Sequence, residues 1–334
     1  MTVVILILGI LFGLTLQYAS LNKYNVISGM ATLENLTVAK AIAVAVGLGA
    51  ILINIEIGLG AASYHVKPLI LGGIVLGGIL FGIGMAILGY CPGTLAISFG
   101  EGSLDALVGI AGALLGGLVY TILFPSIKGI LGPDLGAISL QTAVEGKVLF
   151  YILVFILGAI FIGLAFWMNT KEKNTSNRWL YSGIALAVLN TIVFAHAVTD
   201  RVIGASTTYP YVADILTGTT QNEYFTKIQN PGHWELIFLS GAFLAGLFGS
   251  LVKKDFSLKM VHENWEKYKG TSSVKRAVWA FIGGFLLLMG ARMAGGCTSG
   301  HVLSGGMQLA FSSLLFAAVV FASLLLTGKF FYKK

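Results

Sequence analysis

The chain has 334 residues, of which 56% are hydrophobic and 10% charged, with a mean hydropathy of +0.87. A soluble domain carries about 25% charged residues, so this chain cannot cover a water-facing surface and its solvent is mostly lipid. The formal charge of +7 does not indicate nucleic acid, because the basic residues lie in short loops between apolar runs, a topogenic pattern.

Glycine is the second anomaly, at 44 residues, nearly twice the usual ~7% share. Glycines let membrane helices approach closely and permit broken backbone where a protein lines a cavity. The first apolar run, Thr2 to Leu16, has no basic segment before it and no small-residue cleavage site after it. It reads as a retained span and not a removed signal. A helix needs about 20 apolar residues to cross the hydrocarbon core. Nine runs qualify, at roughly 2–19, 38–57, 68–89, 104–125, 147–169, 178–198, 233–252, 275–295 and 307–327. Four shorter apolar or Gly-rich pieces, around 21–31, 92–100, 203–217 and 297–306, are too short to cross and too apolar for surface loops. Re-entrant half-helices suit them best.

Nine spans put the termini on opposite sides. The side of the N-terminus holds 6 basic residues, Lys67, Lys128, Lys147, Arg201, Lys227 and Arg292, and the other side 15, seven of them between Lys253 and Arg276. The positive-inside rule then places the N-terminus on the periplasmic or extracellular side and the C-terminus in the cytoplasm, in a bacterial inner membrane. The chain also repeats itself. Val75 to Cys91 aligns without gaps on Phe281 to Cys297, and six of 17 positions match: Gly77/Gly283, Gly78/Gly284, Leu80/Leu286, Gly84/Gly290, Gly89/Gly295 and Cys91/Cys297. A first repeat at 1–146, a linking helix and loop at 147–177 and a second repeat at 178–334 follow, within one integral membrane unit. The single extra crossing makes the repeats inverted, as in many transporters whose site lies where the repeats meet. The expected fold is an all-α polytopic membrane protein, with about nine transmembrane helices and short re-entrant helices in two inverted repeats.

The chemistry centres on the only two cysteines, which are 206 residues apart and contain no C-x-x-C; such a pair makes neither a disulfide framework nor a zinc site. Gly89-Tyr90-Cys91-Pro92-Gly93-Thr94 reads as a chain break followed by a helix start, with Pro92 suited to the first turn. Gly295-Gly296-Cys297-Thr298-Ser299-Gly300-His301 offers hydroxyls and unhindered backbone N–H groups. A helix N-terminus at membrane depth attracts an anion, and one such end from each inverted repeat makes an anion pathway. A thiolate beside an incoming anion would repel it by ~4 kcal/mol at 4 Å and an effective ε near 20. A neutral thiol, a weak donor with a soft surface, suits a terminal sulfur. The opposing reading is that a free cysteine is simply a small buried hydrophobe; the matched repeat positions favour function.

Arg292 lies five residues before Cys297 and inside a span, which makes it a functional candidate or a side chain snorkelling to the interface. His301 is either a donor to an anion or a satisfied buried histidine. An Asp200–Arg201 pair is expected to hold the piece that contains Ser206. Asn22 and Lys23 lie in the first short piece. The loop from Lys253 to Arg276 mixes basic residues with Phe256, Leu258, Met260, Trp265 and Tyr268; it suits anionic headgroups or a cytoplasmic partner.

At GYCPGT, Gly89 to Thr94, GGCTSGH, Gly295 to His301, and RVIGAST, Arg201 to Thr207, the sequence resembles the YeeE/YedE family of sulfur-transport membrane proteins. The resemblance extends over essentially the whole chain. It implies thiosulfate uptake through an hourglass-shaped protein, with Cys91 and Cys297 contacting the ion in turn, and no cofactor. It also implies a TusA-like cytoplasmic sulfur-carrier protein as a partner. Relatives often have a third cysteine in the early short piece, which Leu21 to Met30 lacks; Asn22 takes over the contact, or the substrate differs. Some relatives are linked to selenium metabolism, so a selenium compound is the alternative substrate. An intramembrane thiol oxidoreductase would need an attacking and a resolving thiol close together, and it leaves the repeat unexplained. A soft-metal transporter would want more Cys, Met or His at ligand spacing.

Overall fold

A computed structural model describes residues 1–172 and 176–333. Lys173 and Lys334, two of the fifteen basic residues above, lie outside the described residues. The elements are all helices. Those of the first half are α1 (Thr2–Tyr18), α2 (Tyr24–Ala31), α3 (Thr37–Gly58), α4 (Leu71–Leu88), α5 (Pro92–Gly100) and α6 (Leu104–Ile127). The one-turn α7 (Leu140–Ala143) and the long α8 (Lys147–Lys171) follow. The second half has α9 (Arg178–Phe194), α10 (Thr208–Thr217), α11 (Glu223–Lys253), the short α12 (Glu263–Lys269), α13 (Ser273–Met293), a π-helix, π1 (Thr298–Gly305), and α14 (Phe311–Phe331). Among the described residues, seven stretches are long and apolar enough to cross a membrane, one of them running from α4 through α5. The apolar helices α1 and α9 have 17 residues each. All nine expected spans are present as helices, and the four short pieces are α2, α5, α10 and π1.

The packing of the two halves is related. Exchanging α1, α2, α3, α4, α5 and α6 with α9, α10, α11, α13, π1 and α14 turns most contacting pairs, and all the extensive ones among these helices, into contacting pairs. Thus α1 on α11 becomes α9 on α3, α6 on α13 becomes α14 on α4, and α5 on α11 becomes π1 on α3. The crossing of α4 with α13 maps onto itself. There the matched glycines meet: a Cβ on Gly77 would lie 2.6 Å from the Gly290 carbonyl oxygen, and one on Gly84 would lie 2.8 Å from that of Gly283. These are the same contact seen twice, since Gly77 matches Gly283 and Gly84 matches Gly290. Absence of a side chain is what lets the two backbones touch. The unmatched helix α8 packs against α3, with Gly47 and Gly158 in close approach.

Three expectations change. Helix α11 begins at Glu223, ten residues before the expected 233, and passes through Pro231. Proline argues for a helix boundary, but the polar-looking first turns bury Tyr224, Phe225 and Ile228 against Tyr120, and Asn222 caps them by accepting from Phe225 N at 2.8 Å. The loop from Lys253 to Arg276 is not wholly a headgroup segment. Its α12 packs on α2, and Trp265 is fully buried, 4.9 Å from the Arg276 guanidinium. The Asp200–Arg201 pair does not form. Asp200 faces His65 at 3.2 Å and His196 at 3.5 Å, while Arg201 lies over the Trp234 ring at 5.6 Å. Two nearby histidines take the carboxylate, and the guanidinium stacks on an aromatic ring instead.

Candidate functional site

Each matched segment makes the same local structure. Gly89, at φ 76°, ends α4 in the left-handed conformation, and Gly295, at φ 74°, occupies the matching position after α13. A side chain would be strained at either position. Two residues later the chain is extended, at Cys91 and at Cys297, and each cysteine is the cap residue of the helix that follows. Pro92 stands at the first turn of α5, and the Thr94 hydroxyl accepts from Cys91 N at 2.8 Å and lies 3.4 Å from Cys91 Sγ. On the other side Cys297 Sγ lies 3.1 Å from Ser299 Oγ.

The two hairpins enter from opposite faces. Leu88, at the end of α4, is held by Arg276 in the first turn of α13, and Gly102 after α5 packs on Ser257. This hairpin belongs to the face that carries the C-terminus. Met293, at the end of α13, touches Gly73 in the first turn of α4, so the second hairpin belongs to the opposite face. The tips meet in the interior. The Thr298 hydroxyl lies beside the Cys91 thiol, and Cys91, Thr94, Thr298 and Ser299 share one cavity of about 70 Å³. The rest of its wall is apolar, including Phe12, Leu21 and Leu303. Tyr209, buried in α10, stands near both thiols and donates to the Pro92 carbonyl at 2.6 Å. A Cβ on Gly93 would make only ordinary contacts, 3.5 Å from Ala205 and Phe12.

On the face of the N-terminus a wider vestibule of about 410 Å³ leads toward Cys297. Its wall carries Lys67, Arg201, Lys227 and Arg292, with Glu235 as its carboxylate. Four of the six basic residues assigned to this face therefore line one cavity. Lys67 Nζ donates to the Gly295 carbonyl at 2.6 Å. A Cβ on Gly296 would meet that ammonium at 2.1 Å, and one on Gly300 would meet it at 3.1 Å, so these two glycines make room for a lysine. Arg292 does not snorkel to the interface. It is 6% exposed and donates from Nη1 to Thr207 Oγ1 at 2.8 Å.

The remaining candidates lie outside these two cavities. The Tyr90 hydroxyl lies 3.2 Å from Asp105 and 3.1 Å from His262, toward the C-terminal face. Asn22 is fully buried, and its amide donates to Glu101 at 2.8 Å and to Ser98 at 3.3 Å. Its neighbour Leu21, and not Asn22, lines the cysteine cavity. Ser206 is buried just before α10. His301 uses both ring nitrogens, toward Ser313 Oγ at 3.0 Å and the Ala294 carbonyl at 2.8 Å, so it is the satisfied buried histidine. Sequence reasoning passed over Tyr209 and Glu235 and counted Lys67 only as a topogenic charge. Glu235, inside an apolar span, carried the same signal that singled out Arg292.

Burial of the ammonium, with the Arg292 charge beside it, lowers the Lys67 pKa to about 8. Below that pH the vestibule has one more positive charge than above it. Arg292 and Arg201 stay charged throughout; Glu235, Cys297 and His301 are the other ionisable groups near the ammonium. Capture of an anion at limiting concentration is expected to fall as pH rises through about 8, and Lys67→Gln to remove that step. A profile of initial uptake that is flat between about pH 7 and 9 in the unmodified protein would exclude the Lys67 charge from capture.

A sequence profile described as Sulphur transport matches residues 23–326. The chain is also 26% identical, over 332 residues, to the thiosulfate transporter TsuA of Spirochaeta thermophila, and the match covers 93% of each protein. The profile runs from the start of α2 to the last turns of α14 and takes in both cysteine hairpins and the vestibule. This chain belongs to the Sulphur transport family.

Proposed function

We propose that this protein imports thiosulfate, or a closely related sulfur-containing anion, through a pathway that passes Cys297 and then Cys91. The observation that carries the reading is the meeting of two cysteine-capped helix N-termini between a cationic vestibule and a small apolar cavity. Family membership and the similarity to a thiosulfate transporter support the substrate class. On this reading the anion loses water in the vestibule against fixed cations. It then meets thiols, hydroxyls of Thr94, Thr298 and Ser299, and the free N–H groups of α5 and π1. Weak, repeated contacts of this kind favour conduction over retention. The thiols act as neutral donors, because a thiolate would oppose the passing charge.

The inverted halves are 1–146 and 178–334, joined by 147–177, and the exchange of contacts between them supports that division. The 15-to-6 distribution of basic residues supports a periplasmic N-terminus, which makes the vestibule the entrance. The exposed Lys253, Lys254 and Lys259 on the opposite face suit a TusA-like carrier that would receive the sulfur.

The test is uptake by a sulfur-starved strain in which this is the sole route, with labelled thiosulfate challenged by sulfate and by selenium oxyanions. Saturable thiosulfate uptake that sulfate competes with weakly is expected. Preferential uptake of a selenium compound would reassign the substrate, and no uptake of any of these anions would overturn the reading.

A further inference from the structure

Behind the Cys297 hairpin lies an apolar groove of about 360 Å³. Val46 on α3, Phe161 and Met168 on α8, Leu314 and Leu325 on α14 and Val302 on π1 form its walls, and no charged side chain lines it. Leu164 and Ala318 are exposed along it. From Leu314 to Leu325 the groove follows α14 for eleven residues, about 16 Å at a rise of 1.5 Å per residue. That is about half of a ~30 Å hydrocarbon core, the depth that one acyl chain reaches. A groove this apolar stays dry, so in a membrane a lipid tail fills it.

The other repeat has an equivalent cleft of about 370 Å³ between α5, α6, α10 and α11. Two features set the first groove apart from it. The unmatched helix α8 gives the first groove an extra wall. Toward the C-terminal face that groove also runs into a second cavity, of about 440 Å³, with Leu33 and Leu325 lining both. The second cavity carries Lys329, Glu34, Thr32 and Tyr268. Glu34 is taken up by Lys267 at 2.6 Å and by the Tyr268 hydroxyl. Lys329, in the last turn of α14, is exposed, and among the described residues no carboxylate lies within 4.0 Å of it. Leu33, on the shared rim, has φ 60° and is 63% exposed. Glycine or asparagine is usual in that conformation after a helix, and a bulky residue kept there needs a reason beyond the helix end.

We propose that the groove and the cavity beside it hold one anionic glycerophospholipid of the leaflet on the C-terminal face, with an acyl chain along α14 and the headgroup phosphate on Lys329. Charge decides the class. With Glu34 neutralised by Lys267, the charge left in the cavity is that of Lys329, which a net-negative headgroup satisfies. A zwitterionic headgroup brings its own cation and gains less. The chain backs π1, whose Ser299 and Leu303 line the cysteine cavity. The site stands whatever the protein transports.

The experiment uses the full chain purified in mild detergent and incubated with equal amounts of phosphatidylglycerol and phosphatidylcholine of the same acyl chains. Native mass spectrometry reads the lipid retained. One phosphatidylglycerol is expected, favoured about fivefold over phosphatidylcholine, the ordinary worth of one lysine near an anionic surface. Lys329→Glu should abolish that preference. Lys254→Glu, an equal change of charge elsewhere on the same face, should leave it unchanged. Ala318→Trp, which fills the groove from an exposed position, should lose the retained lipid of either kind. Equal retention of the two lipids, or an equal loss of preference in Lys329→Glu and Lys254→Glu, overturns the proposal. Undiminished retention by Ala318→Trp overturns it as well. Should that variant not fold, one equivalent of phosphatidylglycerol with a photoreactive group at the acyl terminus decides in the unmodified protein. Labelling confined to α3, α8, α14 and π1 supports the groove, and labelling spread over all the lipid-facing helices overturns it.

Discussion

Replacing Cys91 or Cys297 by alanine should cut initial thiosulfate uptake about tenfold or more, because a hydrogen bond to a charged group is worth about 1.5–3 kcal/mol. Little loss of folded protein is expected. Both side chains are small, and neither is in a disulfide. Cys91 Sγ touches Thr94 of its own helix and the Thr298 hydroxyl, and Cys297 Sγ touches Ser299 of its own. Serine separates the two ways a thiol can work. It keeps a donor at the same place but loses the polarizable surface, so a cysteine acting by donation retains more uptake as Ser than as Ala. A covalent relay predicts that Ser is as inactive as Ala, since it cannot form a persulfide. The deciding measurements are initial rates for the Ala and Ser variants and mass spectrometry of the loaded protein. An adduct formed and discharged at the transport rate would replace the non-covalent reading. Full uptake by both Ala variants would remove the thiols from the pathway.

The second large effect is on stability and lies away from the pathway. Asp105→Asn should lower the melting temperature by about 5 °C or more, because leaving a buried charge without its partner costs about 3–5 kcal/mol. Arg276 is fully buried. It donates to Asp105 from Nε at 3.1 Å and Nη2 at 2.6 Å, and it caps the end of α4 through the Ile87 and Leu88 carbonyls. Asp105 also faces His262 at 3.0 Å and receives the Tyr90 hydroxyl. One pair thus fixes the root of the Cys91 hairpin to α6, to α13 and to the loop before α12. Arg276→Met combined with Asp105→Asn removes both charges and should melt above Asp105→Asn alone, the positive coupling that a direct pair gives in a double-mutant cycle. Additive losses, measured by thermal unfolding in detergent, would show that the pair acts through its separate contacts instead.

The sequence was most legible where physics is periodic or repeated. Hydrophobic runs of membrane length located all nine long helices, and the gapless match of Val75–Cys91 on Phe281–Cys297 located both hairpin tips to the residue. The match worked because glycine and cysteine sit where only they fit: a left-handed turn, a backbone contact, a small cap. Pairings between distant residues were not legible. Asp200 and Arg201 are adjacent and opposite in charge, yet their partners come from 65, 196 and 234, which proximity in sequence cannot show. Lys67 looked like any loop lysine until Gly296 and Gly300 were seen to make room for it. Asn22 was singled out because a cysteine was missing nearby, whereas the neighbour that faces the cavity is Leu21. The short α12 escaped notice because a seven-residue helix with one buried tryptophan has too little periodicity to register.

The crossing of α4 with α13 limits how this molecule can work. Main chain meets main chain there, with Gly77 against Gly290 and Gly84 against Gly283 and Leu287, at separations too small for even a methyl group. The tightest contacts of this seam are between main-chain atoms. Rocking one half against the other would part these closely packed backbones and lose the van der Waals contact that holds helices together in lipid. The hairpin tips are different, since each hangs from one left-handed glycine and a short helix. On the proposed transport reading, an ion would pass by small turns at Gly89 and Gly295 and by side chains swinging aside, while the halves hold still: a narrow sieve with a charged mouth.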